Sequence, residues 1–420
     1  MSQTHIERRE DTVMVSARSF KARNRISIVK LVIACLTSSP MATATLPSSA
    51  NKRHADPMPG VDWESFNFGL NGVETDAMWV SRTAVEQNGL AVIGEYDDLE
   101  EQCLQRSGKL EISPSATVLN YGQALFEGLK AFRRQDGSIV MFRPEMNAAR
   151  MQQGACRFLM PSVPTTAFVK ACDAVVRANS RWVPPYQKGA LYQRPLLMGT
   201  GAALGVKPSS ETTFCIYCSP VGDYFKAGLK AIRLQAVKGY SRAAPGGSGA
   251  IKASGNYAPA FEAQRLVRLR GYDEVLCLDA ISGEVVEEAG ASNFFAVFPN
   301  GTIVTPSLDT ETILPGVTRA SIIELAEKEL GCHVVEGRLT LSDLQGASEA
   351  FCCGTGACIT PVGCLSVVGG DDETKIISFG DGTHAGDLTR KLYTMLTDIQ
   401  TGCDPTLCEK YKHWIHVVAP

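Results

Sequence analysis

The chain has 420 residues, of which 45% are hydrophobic and 20% are charged, and its formal net charge is -3. This composition is that of a globular protein, and the length exceeds what one hydrophobic core usually serves, so we expect two domains. A net charge this small provides no field for nucleic acid or an anionic membrane, so we predict neither as a partner and expect small-molecule chemistry.

The first sixty residues, 1–60, are predicted to be a targeting or disordered extension. Residues 12–55 contain no acidic residue, while basic residues are interspersed with serine and threonine. This composition is typical of a transit peptide, so we expect a mitochondrion or plastid, with a cytoplasmic location as the alternative. The apolar stretch 26–36 is interrupted by Lys30 and is too short to span a bilayer. A secretory signal ending near Met41 and a disordered cytosolic extension stay open.

An α+β first domain is predicted over residues 61–218. The turn sequence Gln-Asp-Gly-Ser favours a hairpin, and Pro144 suits the first position of a helix. A second helix would place Phe168, Cys172 and Val175 on one side, which predicts a buried face. The predicted elements in chain order are strands 130–133 and 139–143, helices 145–158 and 166–182, and strands 191–198 and 213–219.

Proline and glycine residues in 219–229 predict an interdomain linker, and a larger C-terminal domain is predicted over 230–420. Short strands joined by turns with glycine predict two successive hairpins in this half. Gly331 suits the left-handed position that ends a helix. The predicted elements are strands 274–279, 284–288, 293–298 and 302–305, and helices 259–270 and 317–330.

The cysteines favour free thiols in a reducing compartment over a disulfide framework, because the 14 cysteines show no regular spacing. Cys215 and Cys218 form a C-x-x-C, but positions three apart in a predicted strand face opposite sides of the sheet. We therefore favour buried thiols over a zinc or redox pair, and we predict no metal site.

A glycine-rich segment, Pro245-Gly-Gly-Ser-Gly-Ala-Ile, leads to a single lysine, Lys252. A phosphate-binding P-loop is excluded because the residue before the lysine would have to be glycine and is Ile251. A lysine in a tight, desolvated cavity is neutral and nucleophilic, and such lysines form Schiff bases with carbonyl compounds. A solvated surface lysine is the commoner alternative.

Two turns are candidate phosphate sites. Leu314-Pro-Gly-Val-Thr-Arg319 places a turn directly before a predicted helix, whose first N–H groups lack partners within the helix. The Gly-Thr-Gly turn at 354–356 follows a predicted buried strand, and its backbone N–H groups can form an anion-binding nest. Plain helix capping by Thr318 and a simple turn are the alternatives.

Glu287 and Glu288 end an apolar strand beside a glycine turn. A carboxylate there could pair with a protonated ring nitrogen, because a buried charge survives only when it is paired. The residues alone do not decide between the two glutamates, and exposed acids of a hairpin are the alternative. Together, a Schiff-base lysine, a carboxylate for a pyridinium nitrogen and two phosphate-binding turns describe pyridoxal phosphate.

From about Val61 onward the chain resembles the branched-chain amino acid aminotransferases, which are fold-type IV pyridoxal-phosphate enzymes, and the plant-like eukaryotic branch in particular. Six blocks in the same order carry the resemblance: Asn120-Tyr-Gly-Gln-Ala-Leu-Phe-Glu-Gly-Leu-Lys-Ala-Phe-Arg133, Leu191-Tyr-Gln-Arg-Pro195, Ile251-Lys-Ala-Ser-Gly-Asn-Tyr-Ala-Pro259, Glu287-Glu-Ala-Gly-Ala-Ser-Asn293, Leu314-Pro-Gly-Val-Thr-Arg319 and Cys353-Gly-Thr-Gly356. D-Amino acid aminotransferases and aminodeoxychorismate lyases share the lysine and phosphate groups but match these blocks less well. A catalytically silent binding protein on the same scaffold is the alternative from another class.

The resemblance implies an α+β, two-domain fold with the cofactor at the domain junction, and a homodimer. It implies transamination of leucine, isoleucine and valine with 2-oxoglutarate by a ping-pong mechanism, which yields branched-chain 2-oxo acids and L-glutamate. The small-molecule partners are therefore amino acids and 2-oxo acids, and the cofactor is pyridoxal phosphate.

The resemblance also assigns roles to individual residues. It makes Lys252 the catalytic residue and Schiff-base lysine, Glu288 the partner of the pyridine nitrogen, and Tyr257 the partner of the ring hydroxyl. The phosphate would be bound by Arg150, Val317, Thr318 and Thr355. The substrate would be bound by Phe126, Tyr192 and Tyr224 as walls of the side-chain pocket, by Tyr121 and the backbone of Gly356 and Ala357 at its carboxylate, and by Arg194 at the distal carboxylate of glutamate.

One departure from the family concerns thiols. The C-x-x-C of some mammalian relatives is absent, because Ala357 and Thr360 occupy those places. Thiol-switch regulation by that route is not expected.

Overall fold

The computed structural model describes residues 54–65, 73–88, 91–93, 96, 101–222, 229–368 and 374–420. The predicted extension 1–60 lies almost entirely outside these residues, and so does most of the predicted linker. All described residues belong to one compact unit. The domain boundaries at 218 and 230 therefore remain a prediction, although two separate β-sheets divide the chain close to that point.

The first half of the chain builds an antiparallel sheet. The strands of this half are β1 (Ala77–Ala84), β2 (Glu86–Asn88), β3 (Ala91–Ile93), β4 (Leu104–Arg106), β5 (Ala124–Phe126), β6 (Leu129–Arg133), β7 (Ile139–Phe142), β8 (Ala190–Gly199) and β9 (Glu211–Val221). The order in the sheet is β7, β6, β8, β9, β1 and β4, with β5 also paired to β8, while β2 and β3 pair with each other. The long strands β8 and β9 are buried along most of their length, because both faces of the sheet are covered.

Two helices, α2 (Pro144–Arg157) and α3 (Thr165–Ala178), cover one face of this sheet. The short helix α1 (Thr117–Tyr121) packs through Val118 against the opposite face. Pro144 begins α2, where its missing N–H costs no hydrogen bond. The predicted buried face of α3 is confirmed, since Phe168, Cys172 and Val175 are fully buried in one core with residues of the sheet such as Phe214.

The second half of the chain builds a sheet that closes on itself. Its elements are β10 (Ile232–Ala236), α4 (Phe261–Leu269), β11 (Glu274–Leu278), β12 (Val286–Ala289), β13 (Ser292–Val297), β14 (Ile303–Pro306), α5 (Val317–Leu330), β15 (Val334–Gly337), β16 (Glu349–Gly354), β17 (Cys358–Val368) and β18 (Thr374–Ser378). Strands β10, β11, β12, β13, β16 and β17 each pair with the next, and the β10–β17 pairing completes the ring. Apolar side chains from these strands form a separate core.

The C-terminal segment returns to the first sheet. It contains α6 (Asp387–Thr401), α7 (Pro405–Lys410) and β19 (Ile415–Val417), and β19 pairs with β7. A third core joins the second face of the first sheet to α5, α6 and the second sheet, with Tyr192, Phe295 and Leu396 among its members. The two halves of the chain therefore meet over buried apolar side chains, which fixes the strands that carry the site.

The predicted elements agree with the structure in kind and differ at some ends. The helix predicted over 317–330 is Val317–Leu330, and Gly331 follows it in the left-handed conformation. The α-helix predicted over 166–182 ends at Ala178 and is followed by a 3-10 turn over Ser180–Trp182, while the side chain of Asn179 hydrogen-bonds the backbone of Ala77. Strand β9 continues to Val221, into the predicted linker, where Val221 pairs with Ala190.

Candidate active site

Lys252 lies where the end of the glycine-rich segment contacts strand β5 of the first sheet. The backbone N–H of Phe126 donates to the carbonyl oxygen of Lys252 at 3.1 Å, and Ala253 forms an isolated bridge with Leu125. Gly249 is required upstream, because a Cβ there would lie 2.6 Å from the carbonyl oxygen of Thr312. The segment is therefore locked between β5 and the residues that precede α5.

The amine of Lys252 lies among aromatic rings. Its Nζ is 3.1 Å from the hydroxyl oxygen of Tyr257 and 4.7 Å from the centre of the Phe126 ring. Burial and the positive charge of Arg150 lower the pKa of Lys252 to about 7, although the negative charge of Glu127 opposes this shift. Near neutral pH a large fraction of the amine is uncharged, which is the state that attacks a carbonyl carbon.

Glu288 lies on β12 and is almost fully buried. Its Oε1 atom is 2.5 Å from Nε of Arg242, and its Oε2 atom accepts from Nδ2 of Asn293 and from the N–H of Leu314 at 3.2 and 3.3 Å. Burial raises the pKa of Glu288, and Arg242 opposes that shift. All three partners are donors, so this carboxyl is held as an anion that can receive one more cationic group.

Arg242 is a residue that the sequence analysis missed. Its guanidinium joins Glu288 to two backbone segments, since Nη1 donates to the carbonyl oxygens of Thr312 at 3.0 Å and of Gly249 at 3.4 Å. A lone arginine before a glycine-rich stretch belongs to no motif that predicts such a contact. The one available signal was the need of a buried glutamate for a cationic partner.

Arg150 lies on α2 and is paired with Glu127, a second residue that the sequence analysis missed. Arg150 donates through Nε and Nη2 to the two oxygens of Glu127, and through Nη1 to the carbonyl oxygen of Pro315 at 3.0 Å. Burial alone would lower the pKa of Arg150, but the Glu127 carboxylate leaves it raised. Pro315 lies two residues before the first residue of α5, so the charged guanidinium lies next to the start of that helix.

The start of α5 and the turn at 354–356 face a common cavity of about 20 Å³. Val317, Thr318, Thr355 and Asn147 are among the residues that line it. Helix capping by Thr318 is excluded, because Thr318 lies inside the helix and the residue at the cap position is Gly316, which has no side chain. The first turn of α5 therefore presents its N–H groups without a capping side chain, as an anion site requires.

Arg194 lies close to two aromatic rings, one of which also contacts the Lys252 amine. Its guanidinium carbon is 4.8 Å from the centre of the Phe126 ring and 5.3 Å from that of Tyr192. The Nε atom of Arg194 is buried and has no hydrogen-bond partner among the described residues. Tyr192 requires Gly128 beside it, because a Cβ on Gly128 would overlap the Tyr192 hydroxyl oxygen.

The turn at Gly356 and Ala357 lines a cavity of about 330 Å³, and the carbonyl oxygen of Gly356 accepts from Nζ of Lys130 at 2.7 Å. Tyr121 is exposed on α1, and its hydroxyl donates to the carbonyl oxygen of Leu204. The structure thus places Tyr121 in a contact outside the Lys252 cluster. Tyr224 lies outside the described residues.

These residues fit pyridoxal phosphate in the chemistry of each group. A depressed-pKa lysine suits an aldehyde, a buried carboxylate suits a ring nitrogen, and an uncapped helix start beside Arg150 suits a phosphate. In the part of the chain that the structure describes, no group of acidic, histidine or cysteine side chains is arranged to hold a metal, every cysteine is a free thiol, and none of the helices could cross a membrane.

Comparison with known proteins relates the chain to one family. Residues 124–364 match the family model described as amino-transferase class IV. The chain is 47% identical over 343 residues to the chloroplastic branched-chain-amino-acid aminotransferase 3 of Arabidopsis thaliana, covering 81% of this chain and 78% of the relative. It is 40% identical over 392 residues to the mitochondrial branched-chain amino acid aminotransferase 1 of Humulus lupulus, covering 93% of both proteins.

Solved structures agree with this relationship. The branched-chain amino acid aminotransferase of Escherichia coli superposes with a TM-score of 0.61 at 29% identity, covering 78% of this chain and 95% of that one. The branched-chain aminotransferase of the archaeon Thermoproteus uzoniensis, solved with norvaline, superposes with a TM-score of 0.63 at 25% identity, covering 82% of this chain and 99% of that one.

Proposed function

The chain belongs to the class IV aminotransferases, in the branched-chain group, and we propose that it transfers the amino group of leucine, isoleucine and valine to 2-oxoglutarate with pyridoxal phosphate as cofactor. The observation that carries this proposal is the Lys252 amine, whose pKa is lowered to about 7 beside Tyr257 and within the field of Glu288. A binding protein without catalytic activity has no need for such an amine.

In this proposal, each charged group of the site holds one part of the cofactor. Lys252 would hold it covalently through Nζ, Tyr257 would hydrogen-bond the ring hydroxyl, and Glu288 would pair with the ring nitrogen. The phosphate would lie at the start of α5, with Arg150, Val317, Thr318 and Thr355 around it. When bound, pyridoxal phosphate supplies an electron-poor ring that accepts the negative charge developing at the substrate Cα.

The side chains of the protein then have to move and place protons. Because the pKa of Lys252 is about 7, Nζ can both accept and release a proton near neutral pH, which suits a general base and acid at the substrate Cα. The Tyr257 hydroxyl, 3.1 Å from Nζ, orients the amine. Burial raises the pKa of Tyr257 to about 12, so its hydroxyl keeps its proton and can donate it in a hydrogen bond.

Substrate selection follows from the two kinds of surface around the amine. The rings of Phe126 and Tyr192 would receive a branched hydrocarbon side chain, with burial worth about 0.8 kcal/mol per CH₂. Arg194 would receive the distal carboxylate of glutamate or 2-oxoglutarate, and its unpartnered Nε supports this. A ping-pong order follows because both amino acids would use the same space in turn. Tyr224 and the backbone of Gly356 and Ala357 complete the proposed substrate set. Tyr121 belongs to it as a proposal that requires its hydroxyl to exchange the carbonyl oxygen of Leu204 for the substrate carboxylate.

The assembly and the location are also proposals. Leu119 and Leu204 are exposed apolar side chains near the Tyr121 contact, and a second copy of the chain in a homodimer would cover such a surface. Sedimentation of fully active protein as a monomer would contradict the dimer. The names of the plant relatives support an organelle, in agreement with the basic, acid-poor N-terminal sequence.

The deciding experiment is a substrate panel on purified protein. We expect a visible absorbance band from bound pyridoxal phosphate, and amino transfer from leucine, isoleucine and valine to 2-oxoglutarate. Turnover of D-alanine or aminodeoxychorismate with no turnover of branched-chain amino acids would assign the protein to another activity of the same fold. A protein without the band and without any turnover would be a binding protein.

A further inference from the structure

Two adjacent glutamates are buried on β12, although the proposed reaction uses only Glu288. The pairing of β11 with β12 is irregular at this point. Leu276 pairs with Ala289 and Leu278 pairs with Val286, so β12 advances three residues where β11 advances two, which is a β-bulge. Such a bulge re-aims side chains that a regular strand would point to opposite faces. The Glu287 carboxyl therefore interacts electrostatically with Arg242, the same cation that pairs with Glu288.

The two carboxyls have unequal partners. Glu288 receives three donors, among them the Arg242 guanidinium at 2.5 Å. Glu287 has the Thr312 hydroxyl as a hydrogen-bond partner, and its buried Oε2 atom has none among the described residues. Burial raises the pKa of Glu287 to about 7; the Thr312 hydrogen bond opposes this shift, and the Glu288 charge adds to it. Glu287 thus lacks the set of donors that stabilises Glu288 as an anion, and near neutral pH it is partly protonated.

The charges around Glu287 explain this difference. Arg242 is the cation that acts on both carboxyls, Asp279 adds a negative charge, and the thiol of Cys277, with its pKa raised to about 12 by burial, is neutral. One arginine compensates one carboxylate. A protonated ring nitrogen that pairs with Glu288 brings a second positive charge into the cluster. The ionised form of the Glu287 carboxyl then becomes favourable.

We propose that Glu287 is the second counter-charge of this site: when a cationic ring nitrogen pairs with Glu288, Glu287 releases its proton to solvent, so that two carboxylates face two cations. The inference rests on the proposed function, because it requires a cofactor with a protonated pyridine ring. It makes Glu287 a positioning residue that acts on the ring through Arg242 and Glu288, without touching the reacting atoms.

The test compares pyridoxal-phosphate binding by the full-length wild-type chain and by Glu287→Gln, each first freed of cofactor. Calorimetry in two buffers of different ionisation enthalpy counts the protons released on binding. At pH 6.5 the wild type should release about half a proton per chain more than the variant, and at pH 8.5 the two should release equal numbers. Lys252 and the phosphate contribute equally to both proteins, so the difference reports Glu287.

Affinity provides a second readout of the same titration. A lost counter-charge is worth roughly a factor of ten, so Kd of Glu287→Gln relative to wild type should rise from about twofold at pH 6 to about tenfold at pH 8.5. Glu284→Gln is the matched control, since Glu284 lies on the same hairpin, is exposed and pairs with Lys238. It should match wild type at both pH values.

A variant that keeps Glu287 guards against misfolding of Glu287→Gln. Thr312→Val removes the hydrogen bond that opposes the raised pKa, so the pH at which the extra protons are released should shift upward. Equal proton release by wild type and Glu287→Gln with a pH-independent ratio of Kd, or an unshifted Thr312→Val profile, would overturn the inference alone. Failure of the wild type to bind pyridoxal phosphate would overturn the proposed function and the inference with it.

Discussion

Arg150 places its Nε and Nη2 atoms 2.8 and 2.6 Å from the two carboxylate oxygens of Glu127, and both side chains are buried. Asn147, one turn before Arg150 on the same helix, donates to the same carboxylate at 2.8 Å. The helix and the residue that follows β5 are therefore tied together through one anion. This pair sets the direction of the guanidinium that, in the proposed site, faces the cofactor phosphate.

Glu127→Gln should lower the stability of the cofactor-free protein by about 3 kcal/mol, because it leaves the buried Arg150 charge without its partner. Inorganic phosphate should restore more stability to this variant than to wild type, since it provides a replacement anion. Urea unfolding measures both effects. Asp76→Asn is the control: it breaks an exposed pair with Arg181 and should cost less than about 1 kcal/mol. Equal losses in the two variants would contradict the role of Glu127.

Gly128→Ala should disturb the substrate pocket more than the fold. The added Cβ would overlap the Tyr192 hydroxyl oxygen, so the ring must move, and a displacement of about 1 Å costs at least about tenfold in kcat/KM for leucine. Gly108→Ala is the matched control, because its Cβ meets no atom within 4 Å. Calorimetry measures the effect of each variant on the stability of the fold, and steady-state kinetics measure the effect on the substrate pocket. Unchanged kinetics in Gly128→Ala would show that Tyr192 does not wall the pocket.

The lowered pKa of Lys252 predicts that this residue reduces the free energy of unfolding of the cofactor-free protein by an amount that depends on pH. The folded pKa of about 7 lies below the ordinary value of 10.5, so the unfolded chain binds the extra proton and stability rises with pH across that window. Below pH 7 the cost is complete, up to about 5 kcal/mol. Lys252→Met should therefore be more stable than wild type at pH 6, and the gap should shrink toward pH 10. A constant gap in urea unfolding would mean that this lysine is not perturbed.

Arg194→Met should separate the two half-reactions. The variant removes the predicted partner of the distal carboxylate but keeps an apolar side chain against Phe126, so the reaction with glutamate or 2-oxoglutarate should lose far more than that with leucine. Single-turnover conversion between the pyridoxal and pyridoxamine forms, with each substrate alone, measures this. Equal losses would mean that Arg194 only supports the structure of the pocket.

The sequence predicted the parts of the site that local chemistry dictates. Pro-Gly turns, glycine-rich approaches and helix starts constrain the backbone within a few residues, which is why α5 was predicted at both ends. Family resemblance selected Glu288 over Glu287, and the structure adds the Arg242 contact that makes the two chemically different.

Contacts between distant segments could not be predicted from the sequence. Arg242 meets Glu288 across 46 positions, and Glu127 meets Arg150 from the sheet to a helix. Nothing in local periodicity encodes such pairs, because they depend on how the sheets close. The same holds for the bulge on β12, which arises where β11 and β12 pair and gives no signal in composition.

The most direct test of the account is single-turnover spectroscopy on wild type and Lys252→Ala, each incubated with pyridoxal phosphate and then mixed with leucine. We predict that wild type shows the absorbance band of bound cofactor and converts it to the pyridoxamine form with leucine, and that 2-oxoglutarate restores it. Lys252→Ala should show neither the covalent band nor the conversion at a measurable rate, because the same amine holds the cofactor and moves the proton. Conversion by Lys252→Ala at a rate near that of wild type would contradict the account.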